Sequence, residues 1–398
     1  MAPIRLVYIA GAGISGLTLA LALARFGLRV VVLERNDAVS EVGAGIQISP
    51  NARKILDRLG LGEALYEYGF EPAGIDVIPS GRIQPIQTLG LGEAVRTRFG
   101  APYAVIHRGD LAQALFEATK RFANIEVLFG VENFSVRPTE AGVAVSYTQT
   151  GRAPVSGPGF AFVGADGVNS TTRSEALSLP EAQPAGVTAW RVLAKPADLG
   201  NGIRPDRTTL LLAPRHHMVI YPLPRRRMVN LVLLSARRRD QAVSDEPGMP
   251  GDSDHKVIAT LLHRTGARWT PWTIRTHPRH AYGEGPIALV GDAAHAMLPF
   301  QAQGAAMGIE DAATLATLLA TAPNPSFATL RYRALREDRV RRVAELSKRN
   351  GDIFHMGWPV ARARDAVIAL GGPEAHLKRL GWVYGFEIAQ SPDGEAQG

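Results

Sequence analysis

The chain has 398 residues and no cysteine. Disulfides, thiolate metal sites, cysteine nucleophiles and iron–sulfur clusters are therefore excluded. It also lacks a long apolar run. "LTLALALARFGLRVVVL" is broken by Arg25, Gly27 and Arg29 and reads as a helix followed by a strand, not a membrane span. "MAPIRLVYIAGAG" enters a strand directly, without the apolar stretch of a signal peptide. These readings predict a soluble, cytoplasmic protein. HExxH and clustered carboxylates are missing as well, so no metal site is expected. The net charge is +7, yet there is no basic tail, and arginine runs occur only at Arg225–Arg227 and Arg237–Arg239. Small anionic ligands suit this better than nucleic acid, and a solvated arginine-rich surface accounts for most of the charge.

Apolar residues make up 46% and charged residues 20%, an ordinary globular balance, and the length predicts two domains or one elaborated domain. Residues 4–10 form a β-branched run, followed by Gly11, Gly13 and Gly16. A helix is expected over residues 14–26, stopped by Gly27, with a strand at 28–33 that ends on Glu34. This is a βαβ unit. Gly11 permits a tight turn, Gly13 admits a pyrophosphate to the helix N-terminus, and Gly16 lets helix and strand approach. Glu34 lies 18 residues after Gly16, in place for ribose hydroxyls. Ser49-Pro50 reads as a helix start and Asp110 as the cap of a helix over 111–122. Between about 180 and 274, "VTAWRVLAK", "TTLLLA", "HHMVIYPLP" and "RMVNLVLLS" alternate as antiparallel strands.

A second small-residue cluster, "IALVGDAAHAMLPFQAQGAAMGIEDA", spans Ile287–Ala312. It reads as a buried strand delivering Gly291-Asp292 to a strand end, then a helix from near Gly304. Asp292 there could accept from a ribityl chain, or merely cap an ordinary turn. The helix N-terminus suits negative charge, and Gly304, Ala305 and Ala306 give a flat ring room.

The order "GAGISG … LER … GAGIQISPNA … HRGDL … GADGVNSTTR … GDAAHAMLPFQAQGAAMGIEDA" resembles the single-component FAD-dependent aromatic hydroxylases, most closely the salicylate hydroxylase and 6-hydroxynicotinate 3-monooxygenase branch. The resemblance covers most of residues 4–312. It implies an α/β (α+β) fold: a discontinuous Rossmann-like FAD-binding domain (1–70, 98–180, 275–325) and an interleaved antiparallel-sheet substrate domain (71–97, 181–274). C-terminal helices (326–390) and a flexible tail (391–398) complete it. The charged helices could be a dimer surface or simply solvated, and the chain a monomer or homodimer. The resemblance further implies that Gly11, Gly13, Ser15 and Gly16 hold the FAD pyrophosphate, and Glu34 the adenosine ribose with Arg35 beside it. Arg108 would contact the phosphate and ribityl region, Val131 the adenine and Asp292 the ribityl-phosphate. Asp166 and Gly167 would serve FAD and the nicotinamide donor. Ala44, Gly45, Pro299, Gly304 and Ala305 would line the isoalloxazine. NADH or NADPH would visit transiently, and a flavin C4a-hydroperoxide would hydroxylate an electron-rich ring. Two other readings stay open: another FAD oxidoreductase of the superfamily (urate hydroxylase, epoxidase or reductase), and a non-catalytic flavin-binding module.

A base near the ring oxygen would help such a reaction. On a strand, His217, Val219 and Tyr221 share one face, with His217 and Tyr221 roughly 13 Å apart, able to flank one ring. His217 is either that base or a packed histidine. His216 points the other way, toward the surface. Gln47, a catalytic candidate with His217 and Tyr221, sits beside the strand approaching the flavin, where the resemblance puts histidine in some relatives; Val219 and Pro299 would bind substrate with Arg191. Arg191 either binds a substrate carboxylate bidentately or is an exposed strand arginine. His295 packs behind Asp292.

Overall fold

The structure is a computed structural model, and it describes residues 5–39, 45–200, 203–237, 253–266 and 268–388. Ala44, most of the loop at 245–254 and the tail 391–398 lie outside the described residues.

The β-branched run forms the central strand Leu6–Ala10, buried at its last four positions. It pairs in parallel with Arg29–Leu33 on one side and Ala161–Gly164 on the other. Ile125–Leu128 and Ile287–Leu289 extend the sheet, and Gly283–Glu284 closes one edge antiparallel. Continuous apolar strands of this kind require cover on both faces. Helices Ile14–Arg25 and Gly304–Thr321 lie in the core on one face. The three-stranded meander Val131–Thr139, Gly142–Gln149 and Val155–Gly159 packs a separate core against the other.

A second, seven-stranded sheet takes the alternating strands. Its order runs Thr270–Thr276, Gln183–Ala194, Met228–Ala236, His216–Leu223, Thr208–Ala213, Gly74–Pro79 and Gln87–Gly90. All pairs are antiparallel except Thr208–Ala213 with Gly74–Pro79, which is parallel. Val192, Leu211, Met218, Ile220, Leu231 and Leu233 face away from the first sheet's body, into a core closed by Ile258 and Leu261 of helix Lys256–Thr265. The intervening positions face a cavity.

Two local expectations are corrected. Helix Arg108–Thr119 starts earlier than the aspartate signal suggests, because the His107 imidazole accepts from the Gly109 N–H (3.2 Å) and caps it; Asp110 sits in the first turn and binds Arg226 at 2.6 and 3.1 Å. His216 is buried, bonded to Ser253 Oγ at 2.6 Å, because its face of the sheet is covered.

From Gly304 on, the chain is mostly helical: Gly304–Thr321, Pro325–Phe354 and Val360–Arg379. Within Pro325–Phe354, Ala328, Tyr332, Arg336, Val340, Val343, Ser347 and Gly351 recur at the three-to-four spacing of one buried face. Arg336 and Arg339 lie on that face and are buried, so this stretch is not simply a solvated charged surface.

Candidate active site

The glycine turn closes by contact with its neighbours. A Cβ on Gly16 would stand 2.0 Å from the Gly11 carbonyl oxygen, and one on Gly11 would stand 2.6 Å from that of Ala165. Helix Ile14–Arg25 therefore begins tight against the sheet. Its first turn carries no acidic residue and its N-cap, Gly13, offers no side chain, so the positive end of the helix is left for an anion. Glu34 ties the turn down: its Oε2 accepts from the Ala12 N–H at 2.7 Å and its Oε1 from the Asn36 N–H at 2.9 Å.

Two further turns converge here. Asp166 accepts from Ser170 Oγ (2.5 Å), the Thr172 N–H (2.9 Å) and Thr172 Oγ1 (2.9 Å), which folds "ADGVNST". Arg173 is buried and donates to the carbonyls of Pro180, Ala293, Ala294 and Arg279, joining this turn to the Gly291-Asp292 turn. Behind the second turn lies a buried ion network. Asp311 accepts from the Gly291 N–H (3.0 Å), His295 Nε2 (2.5 Å) and Arg336 Nε (2.7 Å). Glu310 takes both Arg336 and Arg339 at 2.7 Å, and Asn51 at 2.7 Å. Burial pushes the Asp311 carboxyl up, but His295 and the Arg336 guanidinium outweigh it and hold it at about 2.

A cavity of about 1340 Å³ runs from these turns to the second sheet. This exceeds the usual volume of a site for one drug-sized ligand, roughly 300–1,000 Å³. It brings together Gly13, Ser15, Arg35, Gly45, Gln47, Arg108, Asp166 and Gly167 with Asp292, Pro299, Gly304 and Ala305. Arg191, His217, Val219 and Tyr221 line its other end. Gly11, Gly16, Glu34 and Val131 shape the turn from behind and are not on its wall; the Val131 N–H is spent on the Glu34 carbonyl at 2.9 Å. Seven arginines and two aspartates line the cavity, so its field favours anions.

The sheet floor follows the strand period. Arg191, Val232, Val219, Leu210 and Val77 stand opposite one another in a single row across five strands. Arg191 is half-buried with its guanidinium 5.6 Å from the Trp272 ring. Its Nε has no hydrogen-bond partner, and no carboxylate pairs with it among the described residues. Burial lowers its pKa, and the neighbouring Arg108 lowers it further. On one side of the row, two residues along the strand from Val219, the Tyr221 ring packs where a Gly45 Cβ would be, 2.3 Å away. Asn230 Oδ1 accepts from the Gly45 N–H at 3.0 Å and fixes that approach. Tyr103 donates its hydroxyl to Gln47 Oε1. Burial raises the pKa of Tyr221 above the ordinary tyrosine value against the pull of Arg191, so its phenol stays protonated. On the opposite side of the row, His217 is buried against Phe300, Phe354 and His355.

Sequence reasoning missed Arg173, Glu310, Asp311, Arg336, Arg339, Tyr103 and His355. One signal was available: Glu310 and Asp311 are adjacent, and they are the only charges in an 18-residue helix. His295, expected to pack behind Asp292, is a member of the same network.

The residues at the cavity's first end fit FAD. An unneutralised helix start suits a pyrophosphate, Gly304 would meet only Asp292 within 4 Å if it carried a Cβ, and Gly167 would meet nothing. Residues 6–347 match the family described as FAD binding domain. The chain is 33% identical to 3-hydroxybenzoate 6-hydroxylase 1 of Aquipseudomonas alcaligenes, over 96% of this chain and 98% of the relative. It is 32% identical to a 3-amino-4-hydroxybenzoate 2-monooxygenase of Streptomyces platensis, over 96% of each. A salicylate hydroxylase solved as a substrate complex shares the fold, with a TM-score of 0.77 at 23% identity over 97% of each chain. The chain thus belongs to the FAD-binding-domain family, and it is an FAD-dependent monooxygenase of the aromatic hydroxylase type.

Proposed function

We propose that the protein hydroxylates a small aromatic acid that already carries a ring hydroxyl, using NADH or NADPH as electron donor and dioxygen as oxidant. The observation that carries this reading is Arg191: a cation without a carboxylate partner among the described residues, set in a floor otherwise built of Val219, Val232, Leu210 and Val77. A planar acid satisfies both features, the carboxylate on the guanidinium and the ring on the apolar row. The relatives' names agree, since both carry a hydroxylated benzoate. The division into an FAD-binding body (1–70, 98–180, 275–325) and a substrate body (71–97, 181–274) is part of the same proposal.

FAD, when bound, would supply the redox chemistry: hydride acceptance from the nicotinamide and activation of oxygen. The chain's own residues do the rest. Gly13, Ser15 and Arg108 bind the anionic part of the cofactor, and the start of helix Gly304–Thr321 offers its positive end to negative charge on the ring system. Arg191 orients the acid. Tyr221, kept protonated, donates a hydrogen bond to an oxygen in the cavity. His217 accepts the proton of the ring hydroxyl, which makes the ring a stronger nucleophile. Phe300 and the apolar row exclude water.

The test is anaerobic reduction of the purified yellow protein by NADH and by NADPH, across a panel of hydroxylated aromatic acids. One or more acids accelerate reduction, and air then yields a product with one more hydroxyl. If no acid changes the rate, or reduction yields no hydroxylated ring, the proposal is withdrawn.

A further inference from the structure

Helix Pro325–Phe354 ends one residue before His355, and that end is fixed from two sides. Arg364 donates to the carbonyls of Ile353 (3.2 Å) and Phe354 (3.1 Å), and the Arg215 N–H donates to the His355 carbonyl (3.2 Å). The imidazole held there meets His217, with His355 Nε2 2.8 Å from His217 Nδ1. Phe300 stands 5.5 Å from the His217 ring and 5.4 Å from the His355 ring, and Phe354 stands 5.3 Å from His217. His217 is 1% exposed, whereas His355 is partly exposed. With Nδ1 engaged, Nε2 is the His217 nitrogen left for the cavity that His217 lines.

A proton removed from a substrate in a water-poor site must leave it. We propose that His355 is the positioning residue and proton carrier through which His217 exchanges that proton with solvent. The inference rests on the reading of His217 as the group that meets the ring hydroxyl. The hydroxyl's O–H bond breaks, its electron pair stays on oxygen, and the proton goes to His217 Nε2. The proton on His217 Nδ1 passes to His355 Nε2, and the proton on His355 Nδ1 passes to water. One proton has moved from substrate to solvent, and both imidazoles are neutral again as the opposite tautomers. The same path run inward restores them when the product leaves.

The electrostatics permit this exchange. Burial lowers the pKa of His217, and His355 and His216 lower it further; burial, His216 and Arg364 bring His355 to about 4. Both rings are neutral near pH 7, so one can donate while the other accepts, which two imidazolium rings could not do.

The experiment follows the proton instead of turnover. FAD-loaded protein and 3-hydroxybenzoate are mixed in weak buffer at pH 7 with an indicator dye, and the release of the phenol's proton is timed. His355→Gln binds the acid and slows release at least about tenfold, and added imidazole restores the rate. In mixtures of light and heavy water, the native protein gives a curved dependence of rate on deuterium content, the mark of more than one proton in flight. Release by His355→Gln at the native rate, a linear dependence, or no release by the native protein overturns the relay. His217→Gln separates the two ideas: native release there removes His217 from contact with the hydroxyl, whereas lost release there with native release in His355→Gln leaves that reading standing and removes the relay alone. If His355→Gln fails to fold, the heavy-water series on the native protein decides.

Discussion

Replacing Arg191 by Met tests the site most directly, because the structure predicts opposite signs for binding and stability. In the free protein the guanidinium is half-buried, its Nε is unpartnered, no carboxylate pairs with it among the described residues, and its neighbour Arg108 bears the same charge. Burial of a charge without a partner costs free energy, so methionine, with a similar apolar stem, should leave the ligand-free fold as stable or more so. Binding moves the other way. A hydrogen bond to a charged group contributes about 1.5–3 kcal/mol, which is a roughly 10- to 150-fold weaker Kd for the acid in Arg191→Met. The amide of the same acid, unable to form the ion pair, should lose little. Titration calorimetry gives the affinities and thermal unfolding the stability. An unfolding temperature that drops by several degrees while affinity for the acid is kept would mean that Arg191 holds the sheet together and does not recognise substrate.

Three other outcomes are expected. Gly16→Ala places a carbon 2.0 Å from the Gly11 carbonyl oxygen, so the turn must open and the purified protein should lose most of its bound flavin, read from the visible spectrum. Asp311→Asn removes the buried charge that Arg336 and His295 share, and leaves Arg336 paired with Glu310 alone; the cost is about 3–5 kcal/mol, seen as a lower midpoint in denaturant. Asp311 is held at about 2 when folded, below its unfolded value of roughly 3.9, so its contribution to stability is present above pH ~4 and is lost as pH falls toward 2. Acid unfolding of native protein should therefore steepen in that window, and Asp311→Asn should flatten it.

Much of the fold was legible because the relevant forces act locally. The run at residues 6–10, the glycines after it and the stop at Gly27 fix a strand, a turn and a helix from neighbours alone. Strict alternation in "HHMVIYPLP" placed His217, Val219 and Tyr221 on one face, and the structure has all three on the cavity wall. What was not legible depended on partners far along the chain. Arg336 and Arg339 read as surface charges until Glu310 stands opposite them. His216 points away from the cavity as expected, but the chain around Ser253 covers it. Asp110 has a cap's chemistry and lost the position to His107, whose ring reaches the Gly109 N–H first. His355 carried no sequence signal, since its role comes from a ring 138 positions away.

The two-sided floor has a wider consequence. Consecutive residues of strand His216–Leu223 answer to different demands, His217, Val219 and Tyr221 to whatever occupies the chamber and Met218 and Ile220 to the packing beneath it. Substitutions along this stretch should therefore alternate like the teeth of a comb, one altering which molecule is accepted and the next altering how firmly the protein holds its shape. Such a scaffold can change its diet by exchanging every second side chain while the foundation under it stays untouched.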